Sequence, residues 1–192
     1  MKLAFKEEII PDGAERLLYV AAPILVLVPA ISTFAVVPFG SPLYIGGTEI
    51  RLQVADLPIG ILFFLAVASL SVYGLALGGW ASNNKYSLMG GLRSCAQLVS
   101  YEVGLGLSIV SLVLAAGTLS TSEIVNQQSG TFAGLFPAWN VFLQPVGFAV
   151  FLICAFAENN RLPFDLPEAE PELVGGYHTE YTGIRWGIFF LG

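Results

Sequence analysis

The chain has 192 residues, of which 55% are hydrophobic and only 11% are charged, and its formal net charge at pH 7 is −6. An ordinary soluble domain carries about 25% charged residues, so this composition excludes a disordered chain and argues against a soluble globular domain. The acidic balance also argues against a nucleic-acid-binding protein, which would present a basic face to the phosphates.

The few charges leave four long segments without any Asp, Glu, Lys or Arg, namely 17–48, 57–84, 103–122 and 124–157. Each contains or borders a run of about 20 mostly apolar residues, the length that a helix needs to cross about 30 Å of hydrocarbon. We therefore predict an all-α integral membrane protein, a bundle of about four complete transmembrane helices plus the start of a fifth. The predicted spans are 17–39, 57–80, 95–117 and 136–157, with the fifth beginning at residue 184.

The remaining segments connect these spans within a single membrane domain, 1–192. Residues 1–16 are predicted to approach the membrane from the cytoplasmic side, and 158–183 to form an irregular acidic loop. A short hairpin could pair Tyr44 and Ile45 with residues 50–52. Gly74 and Gly78 form a G-x-x-x-G pattern that allows helices to approach closely.

Three prolines lie inside the predicted spans, at positions 23, 29 and 145. A proline removes a backbone donor and clashes with the preceding turn, so we expect each to bend or locally unwind its helix.

Basic residues predict the orientation. In an alternating topology seven of them fall on the N-terminal side: Lys2, Lys6, Arg16, Lys85, Arg93, Arg161 and Arg185. Arg51 alone falls on the opposite side. The excess of basic residues makes the N-terminal side cytoplasmic, or the matrix side in an organelle.

The sequence shows no sign of a redox centre or nucleophile of its own. Cys95 and Cys154 fall in separate predicted spans, His178 is the single histidine, and no C-x-x-C, Walker or G-x-G-x-x-G motif is present. This pattern argues against a four-ligand zinc or iron–sulfur site within the chain.

Glu102 is the acidic residue inside a predicted span, seven residues after the start of the third. A charged side chain at the centre of a membrane helix costs about 2.5–3.5 kcal/mol on insertion scales, so Glu102 should face protein or water. It is a candidate proton carrier. The alternative is a structural hydrogen bond to a neighbouring helix.

Two polar segments are further candidates. The loop 78–93 is rich in glycine and carries Lys85 and Arg93 on either side of Tyr86, although by itself it fits a simple positively charged turn. The segment 158–185 holds six acids together with Arg161, His178 and Arg185; the acids are Glu158, Asp165, Glu168, Glu170, Glu172 and Glu180.

Prolines recur every four residues in this acidic segment, at 163, 167 and 171, and disfavour a continuous helix. The carboxylates could therefore converge, and crowded carboxylates suit proton exchange near neutral pH. A solvated acidic loop is the alternative.

The stretch ENNRLPFDLPEAEPELVGGYHTEYTG at 158–183 closely resembles the signature loop of one membrane-subunit family of proton-translocating NADH–quinone oxidoreductase, respiratory complex I. This is the bacterial H-subunit family, the counterpart of mitochondrial subunit 1. Residues 2–11, 55–64, 79–94 and 100–102 resemble further segments of the same family. The resemblance covers nearly the whole chain. By this resemblance the chain begins after the first helix of the family and ends inside the sixth of eight, so we expect a fragment.

The resemblance implies a membrane subunit at the heel of the complex, in a bacterial plasma membrane or the mitochondrial inner membrane. With the peripheral arm, the family forms a chamber where quinone, the substrate, receives electrons from an iron–sulfur cluster of another subunit. NADH, FMN and the iron–sulfur clusters then belong to partner subunits, and this chain binds no cofactor or metal.

The resemblance also implies roles for individual residues. Proton relay and coupling would involve Asp56, Glu102, Glu158, Asp165, Glu168, Glu170, Glu172 and Glu180. Contacts with the quinone chamber or the arm would involve Lys85, Arg93, Arg161 and His178. The other interpretations are the related membrane subunit of an energy-converting hydrogenase, a stand-alone proton channel, and a structural bundle with no proton role.

Overall fold

The computed structural model describes residues 6–7, 9–40, 42–132, 136–160, 163–165 and 175–191. Within them the chain is mainly helical: α1 Arg16–Thr33, α2 Gly60–Ala68, α3 Ser71–Ala81, α4 Lys85–Ala116, α5 Thr121–Gln127, α6 Asn140–Leu143, α7 Pro145–Glu158 and α8 Gly183–Leu191. Single 3₁₀ turns cover Phe34–Val36 and Gly176–His178. Two short antiparallel strand pairs join β1 Leu43–Ile45 to β2 Thr48–Ile50 and β3 Thr131–Phe132 to β4 Phe136–Pro137.

Three helical segments among the described residues are long and apolar enough to cross a membrane: Arg16–Val36, Gly60–Ala81 and Lys85–Ala116. They match the first three predicted spans. In the region of the fourth predicted span, residues 136–157, the short helix α6 is followed by the 14-residue apolar helix α7. Helix α8 lies where the fifth span was expected to begin.

The second span is interrupted between α2 and α3, at Ser69 and Leu70. The hydroxyl groups of Ser69 and Ser71 donate to the carbonyl oxygens of Ala66 and Ala68, at 3.0 and 2.8 Å. Such side-chain bonds to the preceding turn compete with regular helical bonds and bend helices. The interruption, which the sequence pattern did not predict, lies beside the site described below.

Helix α4 begins ten residues earlier than the predicted third span, so the expectation of a loop over 78–93 is wrong. Only Ser82, Asn83 and Asn84 separate α3 from α4. Asn84 caps α4 by accepting a hydrogen bond from the Tyr86 amide at 2.9 Å, which satisfies a free donor of the first turn. Glu102 consequently lies 17 residues after Lys85, about 26 Å along the helix axis.

The prolines do not unwind their helices. Pro23 and Pro29 are buried inside α1, which is unbroken from Arg16 to Thr33. Pro145 is the first residue of α7, where its missing amide hydrogen costs nothing. A hairpin forms in the predicted segment, but its register differs from the prediction: Tyr44 and Ile45 pair with Glu49 and Thr48, not with residues 50–52. Both glycines of the turn, 46 and 47, have positive φ, which suits the tight two-residue connection.

Glycines allow the helices to approach at backbone distance. A Cβ atom on Gly74 would overlap Val26 of α1, and one on Gly78 would lie 2.8 Å from the Phe189 ring of α8. These contacts confirm the close approach predicted from the G-x-x-x-G pattern. On α4, a Cβ atom on Gly90 would lie 2.6 Å from backbone atoms of Gly176 and Tyr177.

Gly90→Ala should destabilise the fold, because backbone atoms cannot yield to the added methyl group as a flexible side chain would. Overpacking of this kind costs about 1–3 kcal/mol. The matched control is Gly106→Ala on the same helix, where an added Cβ has no neighbour within 4 Å among the described residues. We expect Gly90→Ala to lower the thermal unfolding midpoint of the detergent-solubilised protein and Gly106→Ala to maintain or raise it. Equal midpoints would contradict the close backbone contact.

Candidate functional site

Two carboxylates of the predicted set, Glu102 and Glu158, border one small pocket between α2, α4 and α7. The pocket also contacts Ser69 and Ser71 at the helix interruption and has a volume of about 20 Å³. That volume holds about one water molecule. Both carboxylates therefore border the same small space, where like charges repel each other.

Glu158 also borders a second, larger cleft. This cleft has a volume of about 520 Å³ and extends from Phe34, which follows α1, past Leu98 to Tyr177 and Phe189. Glu158 therefore lies between a water-sized pocket that contains Glu102 and an open, partly polar cleft. Glu102, which is half-buried, borders only the small pocket of the two.

The end of α7, and with it Glu158, is held by the buried side chain of Gln97 on α4. The Gln97 amide nitrogen donates to the carbonyl oxygen of Ala157 at 2.8 Å, the side-chain oxygen of Asn160 at 3.0 Å and the carbonyl oxygen of Phe164 at 2.9 Å. One turn along α4, the Tyr101 ring makes an edge contact with Phe164 at 5.3 Å. Gln97 was not among the predicted site residues, although it is an isolated uncharged polar residue among the apolar residues of a predicted span.

A second cluster joins the start of α1 to the segment before α8. The rings of Tyr19 and Tyr181 stack at 4.1 Å with an interplanar angle of 4°. The Tyr19 hydroxyl donates to the carbonyl oxygen of Glu180 at 2.7 Å, and the Tyr181 hydroxyl donates to that of Tyr19 at 3.2 Å. Burial strongly raises the pKa of the Tyr181 phenol, which therefore stays neutral.

Glu180 belongs to this second cluster rather than to the carboxylate pair. Its carboxylate accepts a hydrogen bond from Asn84 at 2.6 Å, which links it to the N-terminal cap of α4. Arg185 lies over the Tyr19 ring, 5.6 Å from its centre. The cluster ties the end of the acidic segment to α1 and α4.

His178 is packed between aromatic rings beside the second cluster. Its ring makes edge contacts with Tyr177 at 5.0 Å and Trp186 at 6.0 Å. Burial lowers the pKa of the imidazole from its ordinary value of 6.5, so His178 is neutral at pH 7.

Asp56 lies apart from Glu102 and Glu158. It pairs with Arg51 and accepts a hydrogen bond from Ser122 at 2.9 Å. Ser122 follows the C-terminal end of α4, whereas Glu102 lies 14 residues, or about 21 Å, before that end. Asp56 therefore borders a different polar cleft, which it shares with Glu123.

The remaining predicted residues are dispersed. The Lys85 ammonium lies 5.2 Å from the centre of the Tyr86 ring, and Arg93 is half-buried on α4. One carboxylate oxygen of Asp165 is buried and accepts no hydrogen bond from the described residues. Arg161, Glu168, Glu170 and Glu172 lie outside the described residues. Within the described part of the chain, no three His, Cys, Asp or Glu side chains converge as metal ligands.

All 192 residues of this chain are matched by known proteins. The family model described as NADH dehydrogenase matches residues 1–192. An H subunit of the NADH-quinone oxidoreductase of Geobacter sulfurreducens is 55% identical over 192 residues, which are 100% of this chain and 56% of the relative. An H subunit of the NADH-quinone oxidoreductase of Cytophaga hutchinsonii is 51% identical over 100% of this chain and 54% of its own length. NADH-quinone oxidoreductase subunit 8 of Rhodothermus marinus is 50% identical over 100% of this chain and 53% of its own length. The chain thus spans about half the length of the curated relatives it matches.

The lowered pKa of His178 predicts a pH-dependent stability. Because the folded state binds this proton more weakly than the unfolded state, its stabilising contribution is complete above about pH 6.5 and is lost as the pH falls. The variant His178→Phe retains an aromatic ring but cannot be protonated. Between about pH 7.5 and about pH 5.5, the unfolding midpoint of the wild type should fall further than that of the variant. Identical slopes would show that His178 does not titrate in this range.

Proposed function

Because the chain belongs to the NADH dehydrogenase family, we propose that it is part of a membrane subunit of an NADH–quinone oxidoreductase. In this proposal it helps to form the quinone-binding chamber and couples quinone reduction to proton translocation through buried carboxylates. The names of the relatives favour this function over the hydrogenase subunit and the stand-alone channel. NADH, FMN and the iron–sulfur clusters would be bound by partner subunits, as the resemblance implies.

The position of Glu158 is the observation that carries the proposal. This residue borders both the open cleft and the water-sized pocket that contains Glu102. A proton that reaches Glu158 from the cleft can pass to Glu102 through one intervening water molecule, a distance that proton transfer readily bridges.

The repulsion between the two carboxylates supplies the coupling. Burial, and after it the nearby negative charge of Glu102, raise the pKa of the Glu158 carboxyl, so Glu158 holds a proton more readily than a free glutamate does. Quinone reduction takes up two electrons and two protons and passes through negatively charged species. Negative charge in the cleft favours protonation of the adjacent Glu158, and its disappearance favours release of that proton towards Glu102.

We further propose that the chain has more membrane spans than the three long apolar segments. Helices α6 and α7 would form the fourth span and α8 the start of the fifth, with the ends that carry most basic residues on the cytoplasmic or matrix side. On that side, Lys85, Arg93, Arg161 and His178 would contact the quinone chamber or the peripheral arm. The acids Asp165, Glu168, Glu170, Glu172 and Glu180 would exchange protons beside it.

We expect Glu158→Gln and Glu102→Gln, each in the full-length subunit assembled into its complex, to lower quinone-dependent NADH oxidation and proton translocation. Glutamine keeps the shape of the side chain but cannot carry the proton. A loss of about tenfold or more in turnover corresponds to a barrier higher by about 1.4 kcal/mol or more. Both activities are measured in membrane vesicles and normalised to the amount of assembled complex.

The matched control is Glu123→Gln, which removes an exposed carboxylate in the cleft that contains Asp56. It should retain both activities. The proposal fails if Glu158→Gln and Glu102→Gln keep the wild-type quinone reductase rate and proton translocation.

A further inference from the structure

We propose that Gln97 is a positioning residue for the proton relay, and that its amide fixes the carboxylate-bearing end of α7 against α4 at the boundary of the two cavities. This inference rests on the proposed function. Gln97 is a neutral residue and not one of the predicted acids, but the position of Glu158 relative to Glu102 would depend on it.

Three hydrogen-bond acceptors meet at one atom, the amide nitrogen of Gln97. The amide nitrogen of Gln97 has two hydrogens but lies within 3.0 Å of three acceptors, on Ala157, Asn160 and Phe164. At least one hydrogen is therefore shared. Ala157 directly precedes Glu158, and Phe164 directly precedes Asp165. A single side chain thus holds the backbone next to two of the acidic residues.

The backbone forms a turn at the end of α7, and Gln97 contacts this turn directly. Asn160 has a φ of 49°, in the left-handed region, which Asn tolerates better than most residues. The amide hydrogen of Asn160 also donates to the Ala157 carbonyl oxygen, at 3.3 Å, so this oxygen serves both the turn and Gln97. The hydrogen bond from Gln97 to the Asn160 side chain then fixes the direction in which the chain leaves the helix.

Gln97 is buried although its side chain is polar. Its relative exposure is 7%, and its side-chain oxygen is buried with no hydrogen-bond donor among the described residues. A buried polar atom without a partner is costly, so an apolar residue would be favoured here if filling space were the only requirement. Among the described residues, the amide nitrogen of Gln97 has three acceptors and its side-chain oxygen has no donor, so every contact described for this amide is a donated one.

Gln144 provides a matched comparison on the same pair of helices. Its amide nitrogen donates to the Ser111 carbonyl oxygen at 3.1 Å, and its oxygen accepts from the Ser111 hydroxyl at the same distance. This amide also joins the α7 region to α4, but it lies at the opposite end of α7 from Glu158. Replacing it tests the same chemical change without disturbing the relay.

The experiment is a double-mutant cycle in the full-length subunit assembled into its complex, with Gln97→Leu, Glu158→Gln, the double variant and the control Gln144→Leu. Turnover per assembled complex and protons translocated per NADH oxidised are measured for each. We expect Gln97→Leu to reduce turnover about tenfold or more, since a displacement of about 1 Å in a reacting group can cost about 10²-fold. We also expect fewer protons per NADH, because a displaced Glu158 no longer accepts every proton. Gln144→Leu should retain both values.

The double variant should be no worse than Glu158→Gln, within about twofold, because a positioning residue has no further effect once its carboxylate is gone. Losses that multiply, or a Gln97→Leu complex equal to Gln144→Leu, would overturn the inference while leaving the proposed function intact. A fully active Glu158→Gln complex would overturn this inference, and together with a fully active Glu102→Gln complex it would overturn the proposed function as well. If Gln97→Leu does not assemble, Gln97→Met provides the same test with a more flexible side chain. Failure of both variants to assemble would make the role of Gln97 structural and overturn the inference.

Discussion

The direct backbone contact between α4 and its neighbours is the constraint on which the rest of the structure depends. Helices in a membrane gain little from the hydrophobic effect, so their packing relies on close van der Waals contact and on hydrogen bonds. A Cβ atom on Gly79 would lie 2.6 Å from the Ser87 carbonyl oxygen, and one on Gly90 equally close to the Gly176 backbone. These contacts fix α3 and the 3₁₀ turn at Gly176 against α4. The Tyr19–Tyr181 stack can form only because the segment after this turn is held there.

Helix α4 then sets the distances within the site. It is unbroken over 32 residues, so the glycine contacts, the amide of Gln97 and the carboxylate of Glu102 occupy fixed heights on one rigid element. The helices packed against it are broken or short: the second apolar segment is interrupted at Ser69, and α7 covers only Pro145–Glu158. The water-sized pocket forms where the interruption at Ser69 and the end of α7 meet the continuous helix. The fold thus places its irregular backbone beside Glu102 and Glu158, the two residues of the proposed relay.

Features governed by composition could be predicted from the sequence. The charge-free segments indicated the three long apolar helices, and the apolar residues near Tyr44 and Ile50 indicated a hairpin, although not its register. The start of α4 could not be predicted, because polar residues and paired glycines are typical of loops, and here the glycines serve packing against Gly79 and Gly176. The role of Gln97 depends on acceptors 60 to 67 positions further along the chain. No local pattern reveals such a contact.

Apart from Glu102 and Glu158, the described residues that border the small pocket are uncharged, as the proposed proton relay requires. A basic residue that positioned Glu158 would favour its charged form and hold the carboxylate ionised throughout the reaction. An amide supplies directional hydrogen bonds to the backbone without fixing the charge of the neighbouring acid. The ion pair Arg51–Asp56 lies near the C-terminal end of α4, which is 19 residues, or about 29 Å along the helix axis, beyond Gln97. A permanent pair at that distance can stabilise a loop without holding Glu158 ionised. The proposed positioning residue was for the same reason harder to find in the sequence than the carboxylates: the acids are conspicuous among apolar neighbours, whereas Gln97 is uncharged.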